Sequence, residues 1–272
     1  MVRKGVVSGQ FYPENPELLK QLLKDLFSKA NIKSQKNFGF IAPHAGYIYS
    51  GLTAAISFKN LQKADTYIII GTNHHNSINS ISSDDFETPL GIVKNDKRFS
   101  KMLLQNRLFT KDEQRFEHSI EVQLPFLQYL DKNAKIVPIL AFTRKIEELR
   151  EIARLITDTA KKLRRKIRII ASSDFTHYGY SYEFVPFTTS EAKTKIKELD
   201  KKAIKSILVL DSRGFLEKAE DTTICGQAAI AAAIETCKIL GAKKAILLKY
   251  TNSAGISGSY DNVVSYASII FV

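Results

Sequence analysis

Phe38-Gly39-Phe40-Ile41-Ala42-Pro43-His44-Ala45-Gly46-Tyr47 is the stretch that decides the fold. Five residues without charge run directly into a proline, a histidine and a glycine. A continuous apolar run of this kind, as opposed to an alternating one, belongs to a strand covered on both faces. Five more runs read the same way, at 67–71, 136–140, 167–172, 245–250 and 263–272. Together they predict an α/β fold: a central, mostly parallel sheet with helices on both faces.

The segments between them supply those helices. Asn15 can cap the first, Pro16 suits its first position, and Leu18, Leu19, Leu22, Leu23, Leu26 and Phe27 form its buried stripe. A second helix is expected over 145–165, acidic early (Glu147, Glu148, Glu151) and basic late (Lys161, Lys162, Arg164, Arg165), as the helix dipole favours. Further helices are expected over 190–209 and, rich in alanine, over 226–240. Residues 78–93 read as a small β excursion turning at Pro89 and Gly91. The last two strands are expected to form an antiparallel pair at an edge. No repeat, low-complexity tract or composition break divides residues 1–272, so a single α/β domain is expected.

The formal net charge is +12, which raises nucleic acid as a partner. The bases are scattered over predicted helices and mixed with glutamates, and none is interleaved with aromatics, so no nucleic acid is expected. No apolar run reaches the ~18 residues that span a bilayer, and the N-terminus lacks the apolar core of a signal peptide. The expected location is cytoplasmic, without membrane contact. Cys225 and Cys237 would lie roughly 18 Å apart if helix joins them, so two free thiols are expected.

The unusual residues cluster by position. Of five histidines, His44, His74, His75 and His177 follow directly on strand ends, in Pro43-His44, Asn73-His74-His75 and Asp174-Phe175-Thr176-His177. Ligands of open α/β sheets bind beyond the carboxyl ends of the strands, so these loops are expected to share one site. Neighbours on an extended loop point opposite ways, and His75 is the spare of its pair. His118 lies in Glu117-His118-Ser119-Ile120-Glu121, which reads as helical and would pair His118 with Glu121. Cys225 stands where the alanine-rich helix begins, a position that favours the thiolate, which is both nucleophile and metal ligand.

The segments Ala42-Pro43-His44-Ala45-Gly46-Tyr47, Gly71-Thr72-Asn73-His74-His75, Glu117-His118-Ser119-Ile120-Glu121, Ser172-Ser173-Asp174-Phe175-Thr176-His177 and Thr223-Ile224-Cys225-Gly226 resemble, in order and across the whole chain, the Memo family (AmmeMemoRadiSam system protein B-like). That family is similar in fold to the class III extradiol dioxygenases, which use non-haem iron. The resemblance implies His44, His74 and Cys225 as metal ligands, Asp174 and His177 as polar neighbours, and His118 as an acid/base lining the pocket. A thiolate in place of the usual carboxylate suits iron, copper or zinc.

Three functions follow as expectations. The first is a metal-dependent oxidoreductase, with iron the favoured divalent ion, in which His177, Asp174 and His118 are catalytic, Asp174 orienting His177. The second is a non-catalytic module that binds a peptide or anion in the same pocket. The third is a hydrolase with Cys225 as nucleophile. The ligand is a small molecule or a peptide, and a homo-oligomer is compatible with all three.

Overall fold

Four of the apolar runs lie side by side and parallel, in the order Lys135–Ala141, Thr66–Thr72, Ile167–Ser172, Gly39–Ala42. They form the centre of a mixed sheet that has twelve strands among the described residues. The structure is a computed structural model and describes residues 1–112 and 114–272.

Both faces of this centre are buried, which is why its strands do not alternate with polar residues. Ile41, Ile68, Ile70, Val137, Ile139 and Ile169 face helices Ile146–Leu163 and Gln227–Leu240. Phe40, Tyr67, Ile69, Ile136 and Ile170 face helices Pro16–Lys29 and Tyr47–Phe58. The second of these helices, directly after His44, was not expected from the sequence. Ala229, Ala231, Ala232 and Ala233 are fully buried. Their small side chains let the last long helix lie close against the sheet.

The expected α/β class with helices on both faces is what the chain adopts. The expected long helices are Ile146–Leu163, Thr189–Leu208 and Gln227–Leu240. The excursion contains strands Ser80–Ile81, Asp85–Thr88 and Gly91–Asn95, and Gly91 has φ +113° at its turn. Strands Ala245–Asn252 and Asn262–Phe271 are antiparallel as expected, but only the first is free on its outer side. The second also pairs with Gly39–Ala42 and with the short strand His177–Gly179.

One order of connection matters for the site. The chain lays down Gly39–Ala42 and Thr66–Thr72 first, then inserts Ile167–Ser172 between them. Ala42 is in register with Ser172, and Ile70 with Ala171. The loops bearing His44, Asp174 and His74 therefore emerge side by side from the same edge.

Among the described residues no helix is long and apolar enough to cross a membrane. Asn15 caps the first helix as expected, its Oδ1 accepting from Glu17 N at 2.9 Å and Leu18 N at 3.1 Å. Replacing that acceptor should cost about 1 kcal/mol. Asn15→Ala is expected to lower the urea midpoint without changing the slope of the transition, and an unchanged midpoint would contradict the assignment.

Candidate metal centre

His44, His74 and His118 each present a ring nitrogen, and the three atoms lie within 4.8 Å of one another. The rings of His74 and His118 stack at 4.8 Å and 14°, and His44 meets each of them edge-on at 5.4 Å. The Cys225 Sγ lies 3.4 Å from His44 Nε2. Three imidazoles thus form a group that could hold a metal ion, and the Cys225 thiol lies against one of them, His44.

What fixes each imidazole can be read from donor counts. Ser172 Oγ donates its only proton to Ser119 O and accepts from Gln123 Nε2 at 2.8 Å. Its contact with His44 Nδ1 at 2.9 Å must then be one in which Nδ1 donates. His44 therefore carries its proton on Nδ1, and Nε2 offers a lone pair to the cluster. His74 Nδ1 lies 3.0 and 3.1 Å from the Glu117 carboxylate oxygens, which can only accept, so its Nε2 is likewise turned away from the clamp. His177 Nδ1 donates to Thr223 O at 3.1 Å.

Close backbone approach builds the frame. Gly226 N donates to Ser173 Oγ at 3.0 Å, and a Cβ at Gly226 would stand 2.4 Å from Ser173 Cβ. That contact carries Cys225 onto the end of strand Ile167–Ser172. Gly71 does the same for the segment of His118, since a Cβ there would meet Ser119 Oγ at 2.5 Å. Ser119 Oγ also donates to Thr72 O at 2.8 Å.

Burial divides the charges. His44 is held well below the usual imidazole range by desolvation, reinforced by the neighbouring imidazoles. His118 is lowered to about 4, again chiefly by desolvation, against the pull of Glu117. For His74 desolvation is outweighed by the Cys225 sulfur and the Glu117 carboxylate, which together raise it to about 10. Burial raises the Asp174 carboxyl to about 7, although His44 N donates to its Oδ1 at 2.8 Å. Burial lowers His177.

A cleft of about 490 Å³ opens over these groups, walled by Phe11, Tyr49, Tyr182 and Tyr266. No lysine or arginine among the described residues lines it.

The chain matches the family model described as Memo-like protein over residues 3–270. This chain belongs to the Memo family. A MEMO1 family protein of Methanosarcina barkeri is 40% identical over 276 residues, with 99% of both chains covered. One from Pyrococcus furiosus is 38% identical over 290 residues, again covering 99% of each. A solved structure of an uncharacterized Escherichia coli K12 protein has a TM-score of 0.44 at 10% identity, over 78% of this chain and 88% of that one.

Against this Memo-family geometry the residues expected from the sequence sort cleanly. His44, His74, Cys225, Asp174 and His177 do come together at one edge of the sheet. His75 points away and is exposed. His118 is not helical: Glu117 Oε1 accepts the His118 and Ser119 main-chain N–H groups at 2.8 and 2.7 Å, and a single 3-10 turn begins only at Glu121–Gln123. The expected pairing of His118 with Glu121 is absent, because Glu121 binds Arg3, Val6, Val7 and Tyr12 instead. His118 lines the cleft and also belongs to the imidazole group that could hold an ion. Asp174 does not hold His177. Its oxygen takes the His44 N–H, and Thr223 fixes both the main chain and the ring of His177. Glu117, Ser172 and Gln123 escaped the sequence reading. A buried glutamate directly before a histidine was the only available signal.

Gly226→Ala forces a methyl group into Ser173 and is expected to cost about 1–3 kcal/mol. Equilibrium unfolding should show the loss, and iodoacetamide should alkylate Cys225 faster as its loop lifts. Unchanged stability and alkylation would mean that the loop does not depend on this contact.

Proposed function

We propose that this Memo-family chain is a metal-dependent redox enzyme whose cleft holds a non-haem iron ion. The observation that carries the reading is the orientation of the imidazoles. The Nδ1 atoms of His44 and His74 are both committed to protein acceptors, which leaves their Nε2 atoms to serve as ligands beside His118, with the Cys225 sulfur 3.4 Å from His44 Nε2. Metal-ligating histidines are held in this way, by a second hydrogen bond that sets tautomer and direction. His44, His74 and Cys225 would bind the ion, and His118 stands where it completes the imidazole group. A set rich in imidazole with one sulfur suits iron, with copper and zinc as the alternatives. When bound, the ion would supply one-electron chemistry and polarise a ligand oxygen.

The chain's own groups supply the rest. The His177 ring is oriented by Nδ1 donating to Thr223 O, which leaves the Nε2 lone pair to accept a hydrogen bond from a molecule in the cleft, burial making it a weaker base than a free imidazole. Asp174, raised to about 7, can hold or release a proton near neutral pH. The aromatic walls favour a small molecule with a flat apolar part. We place the protein in the reducing cytoplasm, where Cys225 stays a thiol.

The contact between Cys225 and His44 also resembles a nucleophile and its base. Desolvation makes His44 a poor proton acceptor, and this favours the sulfur as a ligand over the sulfur as a nucleophile. No lysine or arginine among the described residues lines the cleft, and its one raised imidazole, His74, is already paired with the Glu117 carboxylate, which likewise disfavours an anion-binding module.

Protein purified without oxygen is expected to carry about one iron per chain by elemental analysis, and Cys225→Ser to lose most of it. A variant with full iron content would remove the sulfur from the ligand set. Wild-type protein that takes up no metal under any condition would overturn the reading as a whole.

The pH dependence has a defined sign. His74 lies at about 10, so below that pH an ion must displace its Nε2 proton. Apparent affinity for Zn²⁺ should therefore rise at least tenfold per pH unit between about 7 and 9, and more steeply where the Cys225 thiol also gives up its proton. Calorimetry in buffers of different ionisation heat should count at least one proton released. A flat profile would show that His74 is not displaced by the ion.

A further inference from the structure

We propose that Glu117 is the positioning residue of this centre, one buried carboxylate that fixes His74 and His118 as a pair. The proposal rests on the metal-centre reading for its purpose, but its geometry stands in the protein alone.

Glu117 is 3% exposed, and every partner of its carboxylate is a donor. Oε2 accepts from His74 N at 2.8 Å, and Oε1 accepts from His118 N at 2.8 Å and Ser119 N at 2.7 Å. The His74 ring donates through Nδ1 to both oxygens at 3.0 and 3.1 Å, and His118 Nδ1 lies 3.6 Å from Oε1. The same group thus holds the main chain of both histidines and the Nδ1 edge of the His74 ring. Two rings stacked at 14° share one clamp.

Three consequences follow. First, Glu117 cannot itself serve as a carboxylate ligand, because its lone pairs are already spent on the loop. Second, an amide cannot replace it. With its NH₂ in the place of Oε1 it would face two N–H donors, and in the place of Oε2 it would face the third. Third, the two halves of the centre are held by unlike devices. His44 depends on the neutral Ser172–Gln123 relay, and His74 with His118 depends on a charge. A carboxylate behind an imidazole raises its basicity as a ligand. Loss of Glu117 should therefore disturb His74 and His118 and leave His44 in place.

The test uses the full chain labelled with ¹⁵N-histidine, metal-free and with Zn²⁺ as the probe, as wild type and as Glu117→Gln. In the metal-free wild type the His74 Nδ1 proton should be visible and slow to exchange, and Zn²⁺ should shift Nε2 of His74, not Nδ1. Glu117→Gln should lose the protected His74 Nδ1 proton, keep that of His44, and bind Zn²⁺ about 10- to 100-fold more weakly. A merely structural glutamate would lower the melting temperature without this selective change between histidines. Zn²⁺ affinity equal to wild type, or ligation through His74 Nδ1, overturns the proposal. If Glu117→Gln does not fold, the wild-type spectra decide: a protected Nδ1 proton with ligation at Nε2 supports the clamp, and an unprotected one refutes it. If wild-type protein binds no Zn²⁺, the metal reading fails, and the metal-free spectra of the two proteins still confirm or refute the clamp.

Discussion

Four buried polar side chains at alternating positions, Glu117, Ser119, Glu121 and Gln123, tie together the N-terminal segment, the His44 and His74 loops and the end of strand Ile167–Ser172. Glu117 holds the His74 loop, and Ser119 caps Thr72 at the end of its strand. Glu121 gathers Arg3, Val6, Val7 and Tyr12, and so seats the N-terminal segment whose Phe11 touches the His118 ring at 5.2 Å. Gln123 reaches Pro43 O and Ser172 Oγ, joining the His44 loop to the inserted strand. Burying two carboxylates is unfavourable unless each lone pair finds a donor. Here the donors are the main-chain N–H groups of three separate loops. The solvation requirement of the acids therefore becomes the constraint that brings the loops together.

The sheet was readable from the sequence because burial on both faces leaves a local mark. Runs such as Ile68-Ile69-Ile70 and Ile169-Ile170-Ala171 cannot satisfy an alternating pattern, and their bounds came within two residues of those observed. The helix ends were readable for the same reason, as caps and stripes are short-range features. The strand-end position of His44, His74 and His177 was also legible, since it needs only the strand boundary. Their convergence required the order of strands in space, and that depends on Ile167–Ser172 entering between two earlier strands.

The segment at 117–123 was misread for a definite reason. Its spacing suits a helix, and nothing within seven residues says otherwise. The competing interactions are distant: Glu117 meets His74 across 43 positions and Glu121 meets Arg3 across 118. The Glu117 side chain takes the His118 and Ser119 N–H groups while holding His74, which fixes this stretch as a loop and lets the first helical turn begin only at Glu121. The helix Tyr47–Phe58 was missed differently. Its Tyr47, Ser50, Gly51 and Thr53 are buried, so no polar face betrays the period.

These two layers, a self-sufficient sheet and a self-sufficient polar frame, bear on how an ion would be accommodated. In small domains that fold around zinc, the ligands have no other partners and binding supplies the folding energy. Here each clamp is closed within the protein: His44 by Ser172, His74 by Glu117, His177 by Thr223. The hydrophobic clusters on both faces of the sheet are closed by their own side chains and need no ion. These imidazoles are therefore organised without an ion, and one bound among them would leave little ordering entropy to offset. Such a cation would have to displace the proton on His74, so protons and the ion would compete for that nitrogen in a frame that both leave standing.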